Sequence, residues 1–118
     1  MRYAVSGSNA IALQEASGGC RHLLGKAITT GRILWLRSAW FYNSDAEDVI
    51  CLQDSASGAT LAPTSVRSRI VCACGQTTMV EFAAPGLKFT TALGALMDGT
   101  YAAVGIGIGY AGANGYEE

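Results

Sequence analysis

Turn chemistry recurs along this chain at intervals too short for a long helix. Gly18-Gly19, Thr30-Gly31, Asn43-Ser44-Asp45, the segment 54–58, Gly75-Gln76, Pro85-Gly86, Asp98-Gly99 and Asn114-Gly115 all combine residues that favour tight reversals. Between them lie short runs rich in β-branched and aromatic residues, which suit a pleated surface. These runs predict strands over 3–6, 11–15, 22–28, 33–42, 49–53, 67–74, 78–82, 87–89, 92–97 and 101–110. The stretch 20–29 is also compatible with one helical turn. Short, evenly spaced strands with Gly, Asp and Asn turns predict an all-β, antiparallel β-sandwich or jelly-roll-like domain. The 118 residues make one such domain, with 1–31 as N-terminal strands or an arm.

Two segments carry more detailed patterns. In 33–42, strict alternation puts Leu34, Leu36, Ser38, Trp40 and Tyr42 on one face. Ile33, Trp35, Arg37, Ala39 and Phe41 take the other. Both faces are largely apolar, which predicts a central strand buried on both sides. Toward the C-terminus, Val104, Ile106, Ile108 and Tyr110 alternate with Gly105, Gly107 and Gly109. This is a strand with one bulky and one bare face. Glycine weakens a strand and marks a bulge or the close approach of another backbone. The bulky row is expected in the core and the glycine row outward, so Gly105, Gly107 and Gly109 are candidate interface residues for a neighbouring subunit or surface.

Residues 107–112, GIGYAG, also satisfy G-x-G-x-x-G. In a dinucleotide site those glycines follow a strand and open a helix, with an acidic residue about 20 positions on. The residues after Gly112 leave no room for that helix, so no nucleotide cofactor is expected. Half of the residues are hydrophobic and only 14% are charged, against roughly 25% in an ordinary soluble domain. A small domain with so few charges is expected to turn part of its surface toward another protein. The formal net charge of −1 provides no basic field for nucleic acid. The N-terminal stretch has no continuous apolar core of the secretory type. The apolar run 101–113 is shorter than the roughly 20 residues of a membrane helix. Neither secretion nor a membrane partner is therefore expected.

No catalytic set emerges. His22 is the single histidine, and no serine stands in G-x-S-x-G. Asp45-Ala46-Glu47-Asp48 lacks the alternating spacing of a calcium loop and reads as a solvated turn. Glu81 and Asp98 have no visible acid partner. Cys20, Cys51, Cys72 and Cys74 read as small buried apolar residues, with bonds between subunits as the alternative. Cys72 and Cys74 lie two apart on a strand and point in parallel, a poor geometry for bonding each other. With one histidine they make no zinc set. Trp35, Trp40 and Tyr42 read as core, or alternatively as a platform on which sugars stack.

Two longer stretches resemble small virion structural proteins of tailed bacteriophages. They are RILWLRSAWFYNSDAEDVICLQDSASGATLA and TTMVEFAAPGLKFTTALGALMDGTYAAVGIGIGYAG, within residues 32–112. The shared pattern is a strand ending in an Asn-Ser turn, an Asp-x-x-Ser-Gly loop, a Phe-x-x-Pro-Gly-Leu-x-Phe corner and a Gly-rich last strand. The four cysteines and the acidic turn depart from the Gly/Thr-rich versions. The resemblance implies a compact, non-enzymatic β-sandwich assembled in the host cytoplasm into the virion. Its implied role is capsid decoration, with tail, baseplate or fibre positions as alternatives. Its implied partners are the major capsid protein or other virion proteins and further copies of itself. A soluble glycan-binding module is the reading from a different class.

Overall fold

The computed structural model describes residues 3–13, 21–24, 26–43, 48–56, 63–73, 75–97 and 107–118. The strands are β1 (Tyr3–Leu13), β2 (Arg21–His22), β3 (Leu34–Asn43), β4 (Asp48–Gln53), β5 (Val66–Cys72), β6 (Gln76–Glu81), β7 (Leu87–Phe89), β8 (Gly94–Met97) and β9 (Gly107–Glu117). All pairings are antiparallel. One sheet has the order β1-β9-β3-β6, with β7 also paired to β3; the other has the order β2-β8-β4-β5. The two pack together as an all-β sandwich, with no α-helix among the described residues.

The core lies between the sheets. Leu34, Leu36, Ala39 and Phe41 of β3 and Ala111 and Ala113 of β9 meet Ile50 and Leu52 of β4 and Ile70 and Cys72 of β5. Leu23, Phe89 and Leu93 close the same cluster. Each fully buried Leu, Ile or Phe stabilises the fold by roughly 1.5–3 kcal/mol relative to exposure. β4 is buried on both sides: Val49, Ile50, Cys51, Leu52 and Gln53 are all enclosed. Cys51 packs with Leu96 and Val66 in a second, smaller cluster.

β3 differs from its expected pattern. Its register against β9 shifts between Leu36 and Ser38. Arg37 is the extra residue of a bulge, and an inserted residue reverses the alternation beyond it. Upstream, the inward side chains are Leu34 and Leu36; downstream they are Ala39 and Phe41. Trp35, Ser38, Trp40 and Tyr42 therefore share the outer face. The bulge falls where β3 changes partner, since Leu36 pairs with Leu87 of β7 and Ser38 with Glu81 of β6. The link between those strands is fastened to Arg37. Phe82 N donates to Arg37 O at 2.8 Å, and Arg37 Nε donates to Phe82 O at 3.2 Å. Gly86 closes the link with φ of +115°, and a Cβ there would stand 2.5 Å from Leu36 O. Only glycine fits both the backbone and the space.

Other boundaries also moved. The runs 3–6 and 11–13 belong to one long strand, whereas of 22–28 only His22 is in a strand, at the end of β2, among the described residues. Asn114-Gly115 is not a turn: β9 continues through it to Glu117, because β1 and β3 supply ladder partners on both sides. Residues 101–106 of the expected last strand lie outside the described residues. The turns at Gly31, Gly75 and Gly86 do have positive φ.

One carboxylate fastens the passage between the sheets. Asp54 follows β4, and the segment 90–93 carries the chain from β7 in one sheet to β8 in the other. The Asp54 carboxylate accepts from Thr91 N at 2.7 Å, Thr90 N at 3.0 Å, Thr90 Oγ1 at 3.0 Å and Ala92 N at 3.2 Å. Arg67 Nη2 stands 3.7 Å away. Burial pushes the carboxyl pKa up, but the N–H donors of Thr91, Thr90 and Ala92 and the Thr90 hydroxyl outweigh it and hold it below 3.8. The folded value is thus lower than the unfolded one. The stabilisation is complete above the unfolded value and is lost as pH falls through the folded one.

Asp54→Asn is expected to cost roughly 1–3 kcal/mol at neutral pH, because the amide presents one acceptor oxygen and no charge. Thermal melts of the two proteins should converge as pH falls below about 4. A gap in Tm that persists undiminished into strong acid would show that the ionised carboxylate is not the source.

Candidate functional site

The outer face of the five-stranded sheet is organised in rows across the strands, about 7 Å apart along them. Successive Cα partners give the rows Ala4–Tyr116–Trp35–Lys88, Ser6–Asn114–Ser38–Glu81 and Ser8–Gly112–Trp40–Met79. A polar row thus lies between two rows that carry aromatic side chains. Trp35 and Trp40 are half-buried. Tyr42 at 36%, Tyr116 at 37% and Met79 at 63% exposure are large apolar groups left in contact with water.

Each element of the face is held by a local contact. Trp35 Nε1 donates to Glu118 Oε1 at 2.8 Å, and Lys88 Nζ stands 6.0 Å from the Trp35 ring centroid. The Trp40 indole covers Gly112, where a Cβ would collide with Nε1, Cε2 and Cζ2. Gly115 has a different constraint: a Cβ there would collide with the backbone oxygen of Trp35. Between the aromatic rows, Asn114 Nδ2 donates to Ser38 Oγ at 3.4 Å. Two shallow depressions open beside this pair. One, of about 490 Å³, is lined by Arg37, Ser38, Glu81, Phe82 and Ala83. The other, of about 250 Å³, includes Ser6, Arg37, Asn114 and Tyr116. The arrangement offers hydroxyl, amide and carboxylate groups beside aromatic surface. Such groups can donate and accept hydrogen bonds and present flat apolar surface to a ligand.

The residues singled out in the sequence are spread over the fold. His22 lies opposite Gly94, half-buried, with Nδ1 enclosed and without a hydrogen-bond partner among the described residues. Glu81 is exposed at the end of the polar row. Residues 44–47 of the acidic turn, Asp98, Cys20 and Cys74 lie outside the described residues. Cys51 and Cys72 are buried thiols in different clusters; Cys51 Sγ accepts from Arg69 Nη1 at 3.2 Å. Among the described residues, no three His, Cys, Asp or Glu side chains gather as a metal-ligand group.

Gly105 also lies outside the described residues. Gly107 and Gly109 open β9; Gly107 pairs with Leu13, and Gly109 with Ile11 and Asn43. From Ala111 onward, Ala111 and Ala113 lie in the core and the outer row is Gly112, Asn114 and Tyr116. The turn expected at Asn114-Gly115 hid Asn114, and the bulge hid Ser38 and the outward placement of Trp40. The chain matches no protein-family model and no curated protein.

The two close-packed glycines predict a ranking. Gly112→Ala meets a side chain that can swing aside, whereas Gly115→Ala meets backbone that cannot move without parting β9 from β3. Gly115→Ala should cost about 1–3 kcal/mol and Gly112→Ala less. Melting curves should separate them by several degrees. A lower Tm for Gly112→Ala than for Gly115→Ala would contradict the ranking.

Proposed function

We propose that this chain is a non-enzymatic structural protein of a tailed-phage virion, a capsid decoration protein that binds and stabilises the head shell. The outer face of the five-stranded sheet is its docking surface. The observation that carries the reading is the exposure of Tyr42, Met79 and Tyr116 beside half-buried Trp35 and Trp40 on that face. Large apolar groups gathered on one face of a small domain mark a surface for another macromolecule. Aromatic residues and Met are the types enriched where proteins meet. The low share of charged residues, 14%, suits a domain that works inside an assembly, and the sandwich suits the resemblance to small virion proteins.

A second reading is favoured by one specific arrangement. Trp40 stands one row from Asn114 and Ser38, so an aromatic surface adjoins an amide and a hydroxyl. A pyranose offers an apolar C–H face that suits an aromatic ring, and hydroxyls that suit such neighbours. On this reading the same face binds a glycan.

Co-sedimentation with undecorated heads of the virus that encodes the chain tests the first reading. The protein should pellet with the heads and raise their thermal stability. Met79→Lys places an unpaired charge in the contact and should weaken binding at least tenfold, about 1.4 kcal/mol. Its own melting should hold within about 0.5 kcal/mol, since the position is exposed. No pelleting with heads overturns the decoration role. Saturable binding of a neutral oligosaccharide by the free protein, lost in Trp40→Ala, would favour the glycan instead.

A further inference from the structure

We propose that the chain forms a two-fold dimer in which the free edge of β1 pairs antiparallel with β1 of a second copy. β1 ends the five-stranded sheet. Its eleven residues pair in continuous register with β9, and its other edge pairs with no strand among the described residues. Such an edge presents unpaired N–H and C=O groups that another strand can satisfy.

The other edges of the sandwich are guarded. β6 carries Glu81, β7 carries Lys88, β5 carries Arg67 and Arg69, and β2 carries Arg21. Those strands have two to seven residues. Short length and charge are the devices that keep a strand edge from joining a neighbour. β1, reading YAVSGSNAIAL, has neither device: it is the longest edge and contains no charged residue and no proline. Ala4 and Ser6 are exposed along it.

The uncharged edge also identifies the occupant. A strand of another protein could answer a charge on β1 with an opposite charge. In a two-fold antiparallel pairing residue i faces residue j of the copy and j faces i, so a strand without charges meets no like charge in any register. Neutrality therefore leaves every self-pairing register open. The dimer continues the sheet across the axis and doubles the outer aromatic face. It uses the sheet's edge and not that face, so it stands or falls independently of head binding.

Analytical ultracentrifugation over a micromolar concentration series, with amide hydrogen exchange of the same samples, tests it. The expected result is a monomer–dimer equilibrium in which amides of 3–13 gain protection as dimer forms. The double variant Ala4→Lys, Ser6→Lys alters two exposed positions and should dimerise at least tenfold more weakly. Its Tm in the monomeric range should match the parent's. A chain that stays monomeric throughout the series overturns the proposal. A dimer whose 3–13 amides gain no protection, or one that the two lysines leave equally tight, overturns it too.

Discussion

Arg37 stands where the central strand changes partner, and which side chains of β3 face the core on either side of it follows from that place. β7 covers the first half of β3 and β6 the second, and the link between them is pinned to both backbone and side chain of Arg37. The extra residue reverses the pleat. Ala39 and Phe41 turn inward to join Leu34 and Leu36, and Trp40 and Tyr42 turn outward. Without the reversal, Trp40 would share the core side with Leu34 and Leu36, and Phe41 would leave it. A bulge is local in the chain but has consequences across a whole face, because the side-chain period of a strand is two.

The outer face needs the small residues of β9 as much as the bulge. Gly112 makes room for the Trp40 indole, and Gly115 lets the β9 backbone approach the Trp35 carbonyl. Asn114 stands between them and holds Ser38. The glycines therefore act within the chain, beneath an aromatic ring and against a backbone oxygen. Asp54 performs a comparable task at the sandwich's side, where three consecutive N–H groups at 90–92 converge on one carboxylate and fix the crossing between sheets.

The fold class was legible because it depends on a coarse signal. Turn residues at 30–31, 75–76 and 85–86 punctuate the chain, and the glycines there do take positive φ. β3, β4, β6 and β7 fall within a residue or two of the runs that predicted them. The face assignment was not legible, because a bulge has no composition of its own here: Arg37 is an ordinary residue whose role comes from the change of strand partner. Asn114-Gly115 failed as a turn for a similar reason, since two flanking strands override a local preference. The platform reading of Trp35, Trp40 and Tyr42 required the outward face, which only the register supplies. The β1 edge was visible as an uncharged run, but its meaning depends on its place at the end of the sheet.

The reversal at Arg37 is tested most directly by the fluorescence of Trp40 alone. Trp35→Phe leaves Trp40 as the single tryptophan, since the chain has two. With the bulge, Trp40 lies on the outer face, partly open to solvent. Its emission should be red-shifted and strongly quenched by iodide in the native protein. A blue-shifted Trp40 that iodide cannot reach until the protein unfolds would place it with Leu34 and Leu36 in the core, and would contradict the bulge.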